Sequence, residues 1–586
     1  MPKERTDHVN DQPMAAGASL EGPAAPKDPI ARRSGFYIMY EAKIEGVTRP
    51  WGVHSQEIYL EGRLVDQARY TGGVTDELVL ELLKSTEGFR RLVHSIGVSV
   101  RPDKAGTPSL GFEMHHYAKT DRFQAGTRLT ASCPGDGSET LLLLEEFTWS
   151  EDDDVPGKLV FEFEEPGETA SASVVFYLND GYAVPEVEVE PPVAYGSAAY
   201  NAMIERSFLN LGNTRRLKAV MERAKAGEEV TVAYIGGSIT QGAGAVPVHT
   251  QSYVYKSYEQ FKQRFGAGDG AQVRLIKAGL GCTPSELGLV RYERDVLREG
   301  DVEPDVVVIE FAVNDAGDET QGVCYESLVL KALDGAKQPA VILLFSVFVN
   351  DWNLQERLAP IGWHYDLPMV SVKDAVVEQF RLSKQQGNVI SKKQFFYDIY
   401  HPANAGHQVM ADCLGLLFAK ADQAALSEED ISLDQPPLLG GEYKDIRLLD
   451  RRNGEGLARI SAGGFGESDS DLQLAPLDDQ TIATPQFPYN WMHTTASGDE
   501  SFRMELHCRR LILVFKDSGS SQFGKALVRV DGQAVLTADP HANNWTHCNA
   551  MILFNEAEAR EHLIEITMAS GDEDKQFTIL GFGVVQ

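Results

Sequence analysis

Residues 231–242 read TVAYIGGSITQG, an apolar run that stops at two glycines and a serine, and no other stretch narrows the choice of fold as far. Valine, tyrosine and isoleucine suit a buried strand, and the glycines let the backbone turn sharply and present Ser238 at the strand's carboxyl end. In an open parallel α/β sheet, sites are built along that edge. No lysine follows Gly242, so the run is not a P-loop, and the dinucleotide G-x-G-x-x-G spacing is absent. Thr240 stands where the elbow G-x-S-x-G has its last glycine. A strand-to-helix turn with Ser238 as N-cap fits the same text.

The surrounding text alternates helix and strand. Residues 213–227 carry Leu217, Val220, Met221 and Ala224 on one face and stop at a glycine, as an amphipathic helix does. Helices are expected at 253–265, 291–297, 325–333 and after His401, with strands at 273–276, 306–311, 340–347 and 369–372. This is the pattern of a doubly wound α/β fold with a parallel sheet. On either side the text is β-rich. Residues 35–192 read as an antiparallel sandwich with one helical interruption at 75–92, and 440–586 as a second sandwich with a hairpin turn at Asp531-Gly532. The expected division is a flexible tail 1–34, an N-terminal β-sandwich 35–192, an α/β domain 193–435 and a C-terminal β-sandwich 436–586. Residues 185–192, PEVEVEPP with its prolines, read as the acidic linker between the first two.

Charge excludes some partners. Lys plus Arg number 54 against 86 Asp plus Glu, a net charge of −32 that repels phosphate backbones, so no nucleic-acid partner is expected. The six cysteines lack any C-x-x-C pair and read as isolated thiols. No apolar leader and no membrane-length apolar run is visible, so a cytoplasmic protein without membrane association is the expectation.

Three further blocks follow the serine: KAGLGCT at 277–283, VVVIEFAVND at 306–315 and DIYHP at 398–402. Taken in order, the four blocks over residues 205–425 resemble the SGNH or GDSL hydrolase superfamily, whose blocks carry a serine, a glycine, an asparagine and a D-x-x-H motif. The resemblance implies an SGNH three-layer α/β/α hydrolase domain, and it implies that the C-terminal region is similar to the jelly-roll modules that accompany carbohydrate esterases. The Gly-Gly-Ser-Ile-Thr text looks like bacterial carbohydrate O-acetylesterases.

An ordinary serine hydroxyl is a weak nucleophile and needs a base with an orienting partner. His401 and Asp398, three residues apart, supply that pair; a local capping pair is the alternative. The resemblance implies three oxyanion donors: the Ser238 N–H, a backbone N–H of the second block and the Asn314 amide. Cys282 stands where the family's glycine sits, with Gly281 in reserve, and Lys277 replaces the family's asparagine. Since a backbone N–H is needed, cysteine still serves. Trp352, Gln355 and Trp363, with His364, lie in a loop after a strand, where tryptophans beside polar groups suit a sugar face or ordinary packing. His407 reads as a supporting or capping residue. Asp315, Asp318, Glu319 and His249 have no recognised metal spacing, so no metal and no cofactor is expected.

The resemblance thus implies a serine-dependent O-acetylesterase acting on xylan-, mannan- or xyloglucan-type oligosaccharides. A lipase- or thioesterase-like enzyme and a non-catalytic carbohydrate-binding protein are the alternatives. The flanking sandwiches are left to bind ligand, shape the cleft or join copies into a homo-oligomer.

Overall fold

The computed structural model describes residues 33–586 apart from 50, 124, 186–189, 318, 481 and 544, and apart from the side chain of 455. Nearly all of the expected tail, half of the acidic linker and Asp318 therefore lie outside the described residues. The chain forms two compact units. One takes the chain up to Glu41, Glu57–Glu162 and Ala172–Glu188; the other takes Ala42–Gln56, Phe163–Ser171 and Val189–Gln586.

The second unit contains a six-stranded sheet in the order Phe208–Asn210, Met369–Ser371, Ala340–Phe345, Val306–Glu310, Val230–Gly236, Val273–Gly279. The five strands from Met369–Ser371 across to Val273–Gly279 are parallel. Phe208–Asn210 runs antiparallel to Met369 and Val370, so the sheet is mixed rather than wholly parallel. This three-residue strand follows the Ala198–Glu205 helix and lies at the sheet edge. An antiparallel edge strand on an otherwise parallel sheet is common. Strands Val230–Gly236, Val306–Glu310 and Ala340–Phe345 are buried along their whole length, the mark of a sheet covered on both faces.

The helix read from the sequence at 291–297 is shortened to Tyr292–Asp295, and another helix precedes it. Ser285–Val290 and Tyr292–Asp295 are separate helices meeting at Arg291, which has φ −92° and ψ 0°. The long helices Tyr253–Phe265 and Asn404–Gln423 pack together through Phe261 and Phe418, edge to face with ring centroids 5.3 Å apart.

From Arg447 onward Leu474–Ala475 pairs with Thr484–Pro485 as a two-stranded sheet of its own, and eight strands join into one sheet. Its long strands are Phe502–Asp517, His547–Met568 and Phe577–Val585. Register shifts between Cys508 and Arg510 exchange the faces of Phe502–Asp517: Phe502, Met504, Leu506 and Cys508 enter the sheet's own core, and beyond the shift Leu511, Leu513 and Phe515 do so. The alternate residues Ile512 and Val514, with Cys548, Leu580 and Val585, join the α/β domain's core beside Leu287, Val290 and Tyr292. One core thus spans the six-stranded sheet and this half of the eight-stranded sheet. The hairpin at Asp531-Gly532 closes Val530 onto Gln533 with φ +52° and +81°, both left-handed as a two-residue type I′ turn needs.

The N-terminal strands form a four-stranded and a five-stranded sheet. Where one helical interruption was expected, there are three helices: Leu64–Tyr70, Glu77–Leu82 and Thr86–Leu92. Asp76 accepts the Leu78 N–H and Ser85 the Gly88 N–H, so each starts a new helix and divides the periodic text. Among the described residues no helix is long and apolar enough to cross a membrane.

Candidate active site

The strand Val230–Gly236 delivers Ser238 to the first position of a four-residue helix, Ser238–Gln241, which Gly242 ends with φ +104°. Gly237 is required by close approach. A Cβ there would lie 2.3 Å from Asn314 Oδ1, so the Asn314 amide is stacked directly against the turn that carries the serine. Asn314 follows Val306–Glu310, the strand beside the serine's own.

Two buried charged groups hold the turn from below. Arg291, 1% exposed, donates to the carbonyl of Gly236 at 2.9 Å and to that of Ala278 at 2.7 Å, and pairs with Asp295 at 3.0 Å. It therefore ties the ends of two adjacent strands together. Glu310 is fully buried and accepts hydrogen bonds from Ser346 Oγ and, at 3.3 Å, from Thr240 Oγ1. Burial pushes its carboxyl up to about 7. Thr240 also shares a 2.8 Å hydrogen bond with Tyr253.

His401 Nε2 lies 2.9 Å from Ser238 Oγ, and His401 Nδ1 lies 2.8 Å from Asp398 Oδ2. The other Asp398 oxygen accepts the backbone N–H groups of Tyr400 and His401, each at 2.8 Å, so the carboxylate folds its own loop around itself. Tyr397 N–H donates to the His401 carbonyl at 2.8 Å and closes that loop. With Asp398 on the Nδ1 side, the imidazole's proton belongs on Nδ1, which leaves Nε2 to accept from the serine hydroxyl.

The loop after Val273–Gly279 is held differently. Gly281 N–H donates to Gln241 Oε1 at 2.7 Å, and the Gly281 carbonyl accepts from Gln473 Nε2 at 2.9 Å. Cys282, exposed and in the left-handed region at φ +57°, has its carbonyl 2.9 Å from His547 Nε2. Lys277, 1% exposed, donates to the Gln241 carbonyl at 3.3 Å, and burial lowers its ammonium to about 8.

The loop residues expected at the substrate divide. Trp352 stacks on Phe348 with centroids 5.9 Å apart, Phe348 meets Tyr400 at 5.1 Å, and Tyr400 meets His401 at 6.1 Å, an aromatic series leading to the imidazole. Gln355 instead spends its amide on Asp374 at 3.0 Å and Ser371 at 2.5 Å. Trp363, 55% exposed, sits at the far end of the Gln355–His364 helix, and His364 bonds the Pro436 carbonyl at 2.9 Å. His407 is buried with both ring nitrogens engaged, Nδ1 by the Tyr253 N–H at 3.1 Å and Nε2 on the Ala243 carbonyl at 3.0 Å. Burial lowers it to about 3, so it stays neutral. Among the described residues no three His, Cys, Asp or Glu side chains are grouped to hold a metal ion.

Arg291, Glu310, Gln473 and His547 are the neighbours that sequence reading missed. Arg291 carried one signal: a charge within the apolar text LGLVRYERD, with an aspartate four residues on. Gln473 and His547 carried none.

Residues 234–409 match the model of the GDSL-like Lipase/Acylhydrolase family. No curated protein matches the chain. Among solved structures, a two-domain esterase (CEX) active on acetylated mannans is similar at 27% identity and TM-score 0.56, over 65% of this chain and 99% of that one. The same esterase co-crystallised with mannopentaose gives 27% identity and TM-score 0.55, over 65% and 98%. Residues 234–409 accordingly resemble the GDSL-like lipase/acylhydrolase family, and the protein is a carboxylic ester hydrolase similar to carbohydrate esterases.

Proposed function

We propose that the protein is a serine-dependent O-acetylesterase of acetylated oligosaccharides, with mannan-type chains as its substrate class. The observation that carries the reading is the unbroken series Ser238–His401–Asp398, with links of 2.9 Å and 2.8 Å. Ser238 Oγ attacks the acetyl carbonyl while His401 Nε2 takes its proton. The imidazolium, held by Asp398, returns that proton to the departing sugar hydroxyl. Water, deprotonated by His401, then attacks the acetyl-serine and releases acetate, and Ser238 recovers its proton.

The tetrahedral intermediates place a negative charge on the former carbonyl oxygen, and preorganised donors stabilise it. The reading assigns these to the N–H of Ser238, the N–H of Cys282 and the Asn314 amide. Gly281, the reserve choice, already gives its N–H to Gln241. Trp352, at the outer end of the aromatic series, is assigned to the sugar face. The mannan class rests on the similarity to an esterase active on acetylated mannans. The catalytic domain is taken as 193–435. Whether the flanking regions join copies of the chain is tested by its mass in solution.

The test is acetate release from acetylated manno-, xylo- and xyloglucan oligosaccharides by wild type and Ser238→Ala, beside aryl esters of increasing acyl length. The reading expects release from the manno-oligosaccharides, a loss of about 10⁴-fold or more in Ser238→Ala, and rates falling steeply beyond acetyl. Cleavage of long acyl esters alone would put a lipase-like enzyme in its place.

A further inference from the structure

The C-terminal sheet does more than cover the hydrolase core: two of its region's side chains reach the loop after Val273–Gly279. The Cys282 N–H and the Gly281 carbonyl belong to one peptide unit, which is planar, so fixing the carbonyl fixes the direction of the N–H. That carbonyl is held by Gln473 Nε2 at 2.9 Å. Gln473 cannot turn its amide over, because its Oε1 accepts the Cys548 N–H at 2.9 Å. Its own backbone carbonyl accepts the Gln486 N–H at 2.8 Å, so the residue is anchored at both ends.

The next peptide is held in the same way. The Cys282 carbonyl takes a hydrogen bond from His547 Nε2 at 2.9 Å. His547 is 3% exposed and begins the strand His547–Met568, directly before Cys548. Its other ring nitrogen faces Asn543 Nδ2 at 3.4 Å, and Asn543 is bound by Asp517 at 2.9 Å. Between these two anchored carbonyls, Cys282 keeps φ +57°, a conformation that a side-chain-bearing residue holds only where its surroundings impose it. Cys548, which holds Gln473, lies in the core shared by the two domains.

We propose that Gln473 and His547 are positioning residues of the oxyanion hole, so that the C-terminal sheet is a working part of the catalytic centre. The inference rests on the serine-esterase reading above. Neither residue touches substrate. They act by aiming the Cys282 N–H, so their loss is felt where charge develops on the carbonyl oxygen and not in ground-state binding.

The test uses the full chain with an aryl acetate and compares Gln473→Met, His547→Phe and His547→Gln with wild type, each with its unfolding temperature. Gln473→Met and His547→Phe are expected to lower kcat about 10- to 100-fold with KM within about twofold. His547→Gln, whose amide still donates, is expected to recover most of the loss. If one apolar variant does not fold, the other and His547→Gln carry the comparison. A kcat within about twofold of wild type in the folded apolar variants would overturn the proposal, as would a His547→Gln no better than His547→Phe. Ser238→Ala, run alongside, keeps the two readings apart: full activity there overturns the serine mechanism itself, whereas an inactive Ser238→Ala with a fully active Gln473→Met overturns only the positioning role.

Discussion

Two adjacent strands end at the site, and their loops are built on different principles. The turn after Val230–Gly236 is held from within the α/β domain: Arg291 grips the Gly236 carbonyl, Glu310 and Tyr253 grip Thr240, and Asn314 stacks on Gly237. The loop after Val273–Gly279 takes Gln241 from its own domain, but it takes Gln473 and His547 from the C-terminal region. The nucleophile's loop is thus held by local packing, whereas the neighbouring loop is also held by side chains from the C-terminal region. Buried polar groups that bond to a loop's backbone narrow its geometry, and each loop takes them from a different source.

The comparison is broken most severely at Arg291. Arg291→Met takes the guanidinium from the Gly236 and Ala278 carbonyls, leaves the Gly236 carbonyl to the Leu280 N–H, and leaves Asp295 with one partner fewer. A stability loss of about 3–5 kcal/mol is expected in denaturant unfolding. A loss below about 1 kcal/mol would mean that the two strand ends hold themselves. Next comes Gly237→Ala, whose new Cβ would stand 2.3 Å from Asn314 Oδ1 and force the amide away. The expectation is a fall of about 10²-fold in kcat on an aryl acetate with the fold retained. An unchanged kcat would separate Asn314 from the chemistry.

Glu310 gives a smaller effect with a definite sign. Its carboxyl is raised from 4.5 to about 7 in the folded protein, so the folded state binds more protons than the unfolded state between those values. Its contribution to stability is complete below about pH 4.5 and is lost as the pH rises through about 7. Glu310→Gln cannot titrate and should remove that slope, a difference on the order of 3 kcal/mol between the two proteins across the window. Parallel pH profiles of stability would contradict it.

The difference between the loops also explains how much of the site could be read from the sequence. Ser238, Asn314, Asp398 and His401 were singled out because their four blocks together resemble one family; each block alone also fits a turn or a local capping pair. The strand Val306–Glu310 was legible as buried text, but its final glutamate was not recognised as a buried acid, since its partners Thr240 and Ser346 sit on other elements. Gln473 and His547 lie 192 and 265 residues from the carbonyls they hold, and nothing local in the sequence marks such pairs. The C-terminal region was read as a β-sandwich, but the register shifts after Cys508, which exchange inward and outward residues within a single strand, left no local signal. The antiparallel edge strand Phe208–Asn210 is too short to leave a periodic signal.

The central claim is that Ser238, activated by His401, carries the acyl group. The most direct measurement is rapid mixing with an activated aryl acetate, acid quench during the first turnover, and peptide mapping of the acetylated enzyme. The account predicts a burst of the aryl alcohol with the acetyl group on Ser238, and neither burst nor adduct in Ser238→Ala. An acetyl group trapped on another side chain, or a Ser238→Ala enzyme with the same burst, would contradict it.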